Sequence, residues 1–88
     1  MKRIFELGRL GITSAALNTL KPEDIYSAVT RHLWGDWGCI SSDDWETNDQ
    51  ALRTGGRLLS VYHSSGRKFW VLTEADRSAT TVLLPEEY

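Results

Sequence analysis

Eighty-eight residues with four Trp, three Tyr, two Phe and a net charge of −2 describe a single small domain, 1–88, with a thin, aromatic core. Ten basic against twelve acidic side chains argue against the strongly basic face of an ordinary nucleic-acid binder. One cysteine, Cys39, rules out an internal disulfide and fits a reducing, cytoplasmic setting, and no apolar run approaches signal-peptide or membrane-span length.

Residues 3–12 mix apolar and charged side chains, and Gly8 and Gly11 interrupt any long regular element. A short strand is expected near Ile4 to Leu7. Thr13 offers a hydroxyl to cap a short helix from Ser14 to Leu20. Pro22 opens a second helix, with Glu23 and Asp24 in the first turn, where the helix dipole favours acid. Ile25, Ala28, Val29, His32 and Leu33 recur at helical spacing on one face, and the helix stops near Trp34 and Gly35. Gly35-Asp36-Trp37-Gly38 reads as a loop. A third helix is expected from about Asp43 to Thr54. Ser41 and Asp44 stand in capping-box spacing before it, and Gly55-Gly56 ends it.

From Arg57 the period changes to alternation. Arg57 to His63 reads as a strand, Ser64-Ser65-Gly66 as a turn and Arg67 to Thr73 as the hairpin partner. A polar connection, Glu74 to Ala79, leads to a third strand, Thr80 to Leu84, closed by Pro85. The expected fold is α+β: two or three short N-terminal helices packed on a C-terminal three-stranded antiparallel β-meander.

The stretch from Asp36 to Gln50 holds Asp36, Asp43, Asp44, Glu46 and Asp49 and no Lys or Arg. Trp37 and Trp45 lie inside it. Carboxylates spaced along a helix can imitate the phosphates of a nucleic-acid strand, which repeat at about 3.4 Å per base, or roughly two helical residues of rise. The competing reading is a solvated helix face with its acids near the N-terminus. That reading suits Asp43 and Asp44 better than Asp36 and Asp49. Trp37, in a glycine-flanked loop, is the candidate aromatic anchor, with core filling as the alternative. Trp45 and Trp70 occupy apolar-face and strand positions and read as core.

His32 lies on an apolar helix face and reads as a hydrogen-bonded packing residue, and His63 as a solvated strand end. One Cys and two isolated His are too few for a zinc site. Asp76 and Arg77 suit an ion-paired turn before the last strand. Gly35-x-x-Gly38 is too short for a phosphate loop. The expectation is therefore no catalytic residue, no cofactor and no metal. Turnover, were there any, would have to sit at His32 with Asp36.

Leu7-Gly8, Arg31-His32-x-x-Gly35-Asp36-Trp37-Gly38, Asn48-x-x-Ala51-Leu52, Arg57-Leu58-Leu59-Ser60-x-Tyr62 and above all Trp70-x-x-Thr73-Glu74-Ala75-Asp76-Arg77-Ser78 with Thr80-Thr81-x-Leu83-Leu84-Pro85 carry a resemblance. The chain resembles a family of small bacterial proteins carried on plasmids and other mobile elements, a setting that includes anti-CRISPR inhibitors. The resemblance implies no activity at any named position. Joined to the acidic stretch, it points to a cytoplasmic inhibitor, monomer or homodimer, that binds a basic nucleic-acid-binding subunit of a CRISPR surveillance complex. Asp36, Asp43, Asp44, Glu46 and Asp49 would supply charge and Trp37 the anchor. The alternative is a nucleic-acid-binding or adaptor accessory protein of a mobile element, using Arg53, Arg57, Arg67 and Lys68.

Overall fold

In a computed structural model describing residues 4–88, the chain runs β1 (Arg9–Ile12), α1 (Ser14–Thr19), α2 (Pro22–Leu33), α3 (Ser42–Thr54), β2 (Leu58–Ser64), β3 (Arg67–Thr73) and β4 (Ala79–Leu83). A 3₁₀ turn, Pro85–Glu87, follows β4. The α+β class and the three helices match the sequence expectation. The sheet does not. It has four strands in the order β1-β4-β3-β2, and β1 runs parallel to β4. The expected three-stranded antiparallel meander is thus a mixed sheet with an added edge strand. The strand placed near Ile4 to Leu7 forms instead at Arg9–Ile12. This segment, Arg-Leu-Gly-Ile, is short and mostly exposed. Its β character comes from its pairing with β4 and is absent from its own pattern.

The hairpin forms where the sequence places it, but its turn is two residues rather than three, because Ser64 is the last residue of β2, opposite Arg67. Ser65 and Gly66 both take positive φ, 51° and 80°, the type I′ geometry that matches strand twist. This sets Tyr62 opposite Phe69 and Ser60 opposite Val71. One sheet face then presents Leu58, Ser60, Tyr62, Phe69, Val71, Thr73, Thr80 and Val82, all buried.

Helix ends are capped as their residue types dictate. Thr13 accepts from the Ala16 amide and Ser41 from the Asp44 amide. Pro22 stands in the first turn of α2, and Gly35 ends it at φ 81°. α1 and α2 bury Ala16, Leu20, Ile25 and Ala28 against Tyr62, Phe69, Val71 and Val82. A second cluster sits at the β2 end of the sheet. There Trp37, Ala51 and Leu58 pack with Phe5, Ile40, Trp45 and Leu52.

The two edges of the sheet are treated differently. Along β2, Val61 N–H donates to the Trp37 carbonyl and Cys39 N–H to the Val61 carbonyl, a bridge centred on Gly38. One turn further, Asn48 of α3 donates to the Leu59 carbonyl and accepts from the Leu59 amide, at 2.8 and 3.2 Å. The side-chain amide acts as a one-residue strand. Gly38 has φ 79°, and a Cβ there would lie 2.0 Å from the Val61 carbonyl oxygen. Gly38→Ala is expected to destabilise the fold by at least about 2–3 kcal/mol, through left-handed strain plus loss of the edge bridge. Urea unfolding of the two proteins measures this.

Candidate functional site

The acidic stretch separates into two kinds of carboxylate. Asp36 follows α2 and pairs with Arg31 of its last turn, Nε to Oδ2 at 2.8 Å. It also accepts from the Gly38 amide. The Arg31 hydrogen bond, then the Gly38 amide and the Arg31 charge, outweigh desolvation and hold its pKa below the usual carboxylate range. Asp49, half-buried on α3, accepts from the Trp37 indole Nε1–H at 3.0 Å. Both carboxylates are engaged within the molecule.

Asp43, Asp44 and Glu46 differ. All three are exposed on the first turns of α3, and among the described residues none has a side-chain hydrogen bond or ion pair. Acids elsewhere are mostly held: Asp24 by Ser64, Glu74 by Arg57, Asp76 by the Ser78 amide, Glu86 by Arg67 and Glu87 by Thr13.

Trp37 is not a surface anchor. It is fully buried, stacked on Phe5 at 6.3 Å and edge-on to His32 at 5.4 Å. The two glycines let the loop fold inward against the β2 edge, which carries the indole into the second core cluster. Trp45 packs there too, half-buried, as its helix face implied.

Three of the four bases of the accessory reading are also engaged. Arg57 contacts Glu74 and donates to the Tyr88 hydroxyl, Arg67 pairs with Glu86, and Arg53 reaches the Asp49 carbonyl. Lys68, with Arg57, Asp44, Cys39 and Trp70, lines a groove of about 500 Å³ beside α3. Arg77 does not form the expected ion-paired turn. Asp76 accepts from the Ser78 amide instead, and the Arg77 guanidinium binds the carbonyls of Ala51, Gly56, Glu74 and Ala75. It closes the C-terminal end of α3, where a cation complements the dipole.

His32 anchors a chain of buried hydroxyls that sequence reasoning missed. Its Nδ1 lies 2.5 Å from Ser60 Oγ and its Nε2 2.8 Å from Thr73 Oγ1. Thr73 Oγ1 lies 2.7 Å from Thr80 Oγ1, and Thr80 donates to the Leu7 carbonyl. That last bond orients the rest. Thr80 has used its proton on Leu7, so Thr73 donates to Thr80. Thr73 then accepts from His32 Nε2–H, and Ser60 donates to Nδ1. His32, Ser60, Thr73 and Thr80 are all buried, so no solute reaches this Ser-His pair. His32 and Asp36 belong to separate networks, and Cys39 is exposed. Among the described residues no group of His, Cys, Asp and Glu could hold a metal ion, and no helix is long and apolar enough to cross a membrane.

No family model, curated protein or solved structure matches this chain.

Two outcomes follow from these contacts. Asp49→Ala strands a buried indole N–H and is expected to cost about 1–3 kcal/mol, whereas Asp49→Asn, which can still accept, costs less. Chemical denaturation of both variants checks the order. For His32, desolvation first and the Arg77 charge second lower the pKa from 6.5 to about 3. The unfolded chain therefore binds a proton that the folded chain refuses between pH 6.5 and about 3. The contribution is fully present above pH 6.5 and is lost as pH falls through that window. The Tm should drop on acidification while the His32 ring, followed by NMR, stays neutral at pH 5.

Proposed function

We propose that this chain is a small binding protein whose α3 face meets a basic surface on a macromolecular partner. The supporting observation is the set Asp43, Asp44 and Glu46, exposed on the first turns of α3 and, among the described residues, without internal partners, in a molecule that engages most of its other acids. Three carboxylates in just over one helical turn set up a local negative potential. Such a patch steers encounter with cations and loses strength as salt screens it. Asp36 and Asp49 add to the field from the margin. They contribute less to contact, since each holds a part of its own fold.

With the resemblance to mobile-element proteins, the partner proposed is a basic nucleic-acid-binding subunit of a host defence nucleoprotein complex, of the CRISPR surveillance kind. The carboxylates would stand where DNA phosphates otherwise bind. The absence of an exposed Trp37 makes the contact on this face electrostatic rather than anchored by an aromatic ring, so its affinity should depend steeply on salt.

The test mixes the purified protein, a surveillance complex and labelled target DNA in a gel-shift assay. Inhibition of DNA binding is expected, weakening on going from 50 to about 200 mM salt. Reversal of Asp43, Asp44 and Glu46 to Lys should abolish it. The fold should be retained, with up to about 1 kcal/mol lost per site from the helix dipole. Inhibition that survives this triple reversal would refute the reading. A direct shift of DNA by the protein alone would favour the nucleic-acid-binding accessory instead.

A further inference from the structure

At the opposite edge of the sheet from α3, β1 is open. Arg9 N–H donates to the Ser78 carbonyl and Thr13 N–H to the Val82 carbonyl, so Arg9, Gly11 and Thr13 turn their backbone groups toward β4. By strand alternation the N–H and C=O of Leu10 and Ile12 point away, along the free edge. Leu10 and Ile12 face the helix side of the sheet, since they stand opposite the buried Thr80 and Val82. Among the described residues no helix fully covers them. They are 45% and 38% exposed and form one side of an apolar groove of about 500 Å³, with Leu17 and Tyr26 on its rim at 58% and 77% exposed. The β2 edge is covered by Gly38 and Asn48, whereas β1 offers paired-strand chemistry beside an apolar patch.

We propose that two copies of this chain join through β1, antiparallel, across a twofold axis at Gly11. The register is selected by the backbone. Centring on Gly11 sets Leu10 opposite Ile12 of the second copy and Ile12 opposite its Leu10, which uses every outward N–H and C=O of the strand. Centring on Leu10 would set Ile12 against Gly8, whose φ of 67° takes it out of the strand. Centring on Ile12 would set Leu10 against Ser14, already in α1. Only the Gly11 register satisfies both residues.

Gly11 also suits the axis itself. It would form a non-hydrogen-bonded pair with its counterpart, where Cα atoms approach to about 4.5 Å. A Cβ at Gly11 would meet nothing within 4 Å in its own copy. On the face away from the helices, the same register sets Arg9 opposite Thr13 of the second copy, whose hydroxyl donates to the Glu87 carboxylate. Arg9 is exposed and has no side-chain partner among the described residues, so it would find a carboxylate across the seam.

The area is adequate. Leu10, Ile12, Leu17 and Tyr26 hold on the order of 400 Å² of exposed side chain per copy. That is about half of the ~800 Å² per partner of a standard interface. The strand backbone and the rest of the groove wall add to it. Assembly should therefore be reversible on dilution. Two four-stranded sheets would become one of eight, with an acidic α3 at each far end.

The experiment uses the full chain with Cys39→Ser, so that no native thiol interferes. In that background Gly11→Cys should convert to a disulfide dimer under mild oxidation by oxidised glutathione. Arg9→Cys, which is out of register with its own counterpart, should stay uncross-linked. By sedimentation, the unmodified chain should show a concentration-dependent dimer that Leu10→Lys abolishes with an unchanged circular dichroism spectrum. A monomer at every soluble concentration overturns the proposal. So does a dimer that survives Leu10→Lys, or cross-linking from position 9 as efficient as from position 11.

Discussion

A buried imidazole holds this small fold in register. His32 leaves α2 to meet Ser60 on β2 and Thr73 on β3, and Thr73 passes the chain to Thr80 on β4 and on to the Leu7 carbonyl. Five segments thus meet through one directional set of hydrogen bonds in a region closed to water. In a low-dielectric interior, each of these polar groups is costly unless paired. Here each is paired, and among the described residues no buried side-chain nitrogen or oxygen lacks a partner. Small shifts of helix against sheet would break several bonds together, so the network specifies one packing of α2 where apolar contact alone would allow several.

A second polar knot lies beside the first. Arg31, one residue before His32, points outward, stacks over Tyr62 at 4.8 Å and pairs with Asp36. The Tyr62 hydroxyl donates to the Asp36 carbonyl at 2.6 Å. Burial raises the Tyr62 pKa above its ordinary value, so the phenol stays a donor. The end of α2 therefore sets the path of the loop that follows. That path brings Trp37 into the core and Gly38 against β2. Arg77 performs the matching task at the other end of α3. Its φ of 63° turns the chain so that the guanidinium can bind the Ala51 and Gly56 carbonyls.

The sheet's edges and the acidic helix follow from these constraints. With the loop and Asn48 laid along β2, α3 is held at that edge with Asn48 and Ala51 inward and its early acids outward. The N-terminal segment, tied to Thr80 through Leu7, delivers β1 to the far side of β4 as a parallel strand. Apolar and charged features end up on opposite edges. A single molecule can then carry a charged contact at one end and an apolar contact at the other without the two competing for the same residues.

Much of the secondary structure was legible from residue types alone. Thr13 and Ser41 as caps, Pro22 at a helix start and the glycines at helix ends act over a few residues, so local sequence reports them. The α2 face and the place of the hairpin are similarly local, because period and turn residues decide them. The exposure of Asp43 and Asp44 also agrees with the reading of a solvated helix start. Tertiary structure alone decided the rest. β1 has too few residues and too little alternation to announce itself, and it becomes a strand only because β4 offers an edge. Trp37 was open to either reading because glycines flank it, and those glycines let the loop turn it inward. The roles of Asp36 and Asp49 depended on Arg31 and Trp37, and that of His32 on Ser60 and Thr73. Their hydrogen bonds depend on direction and distance between segments far apart in the chain, which only the folded backbone sets.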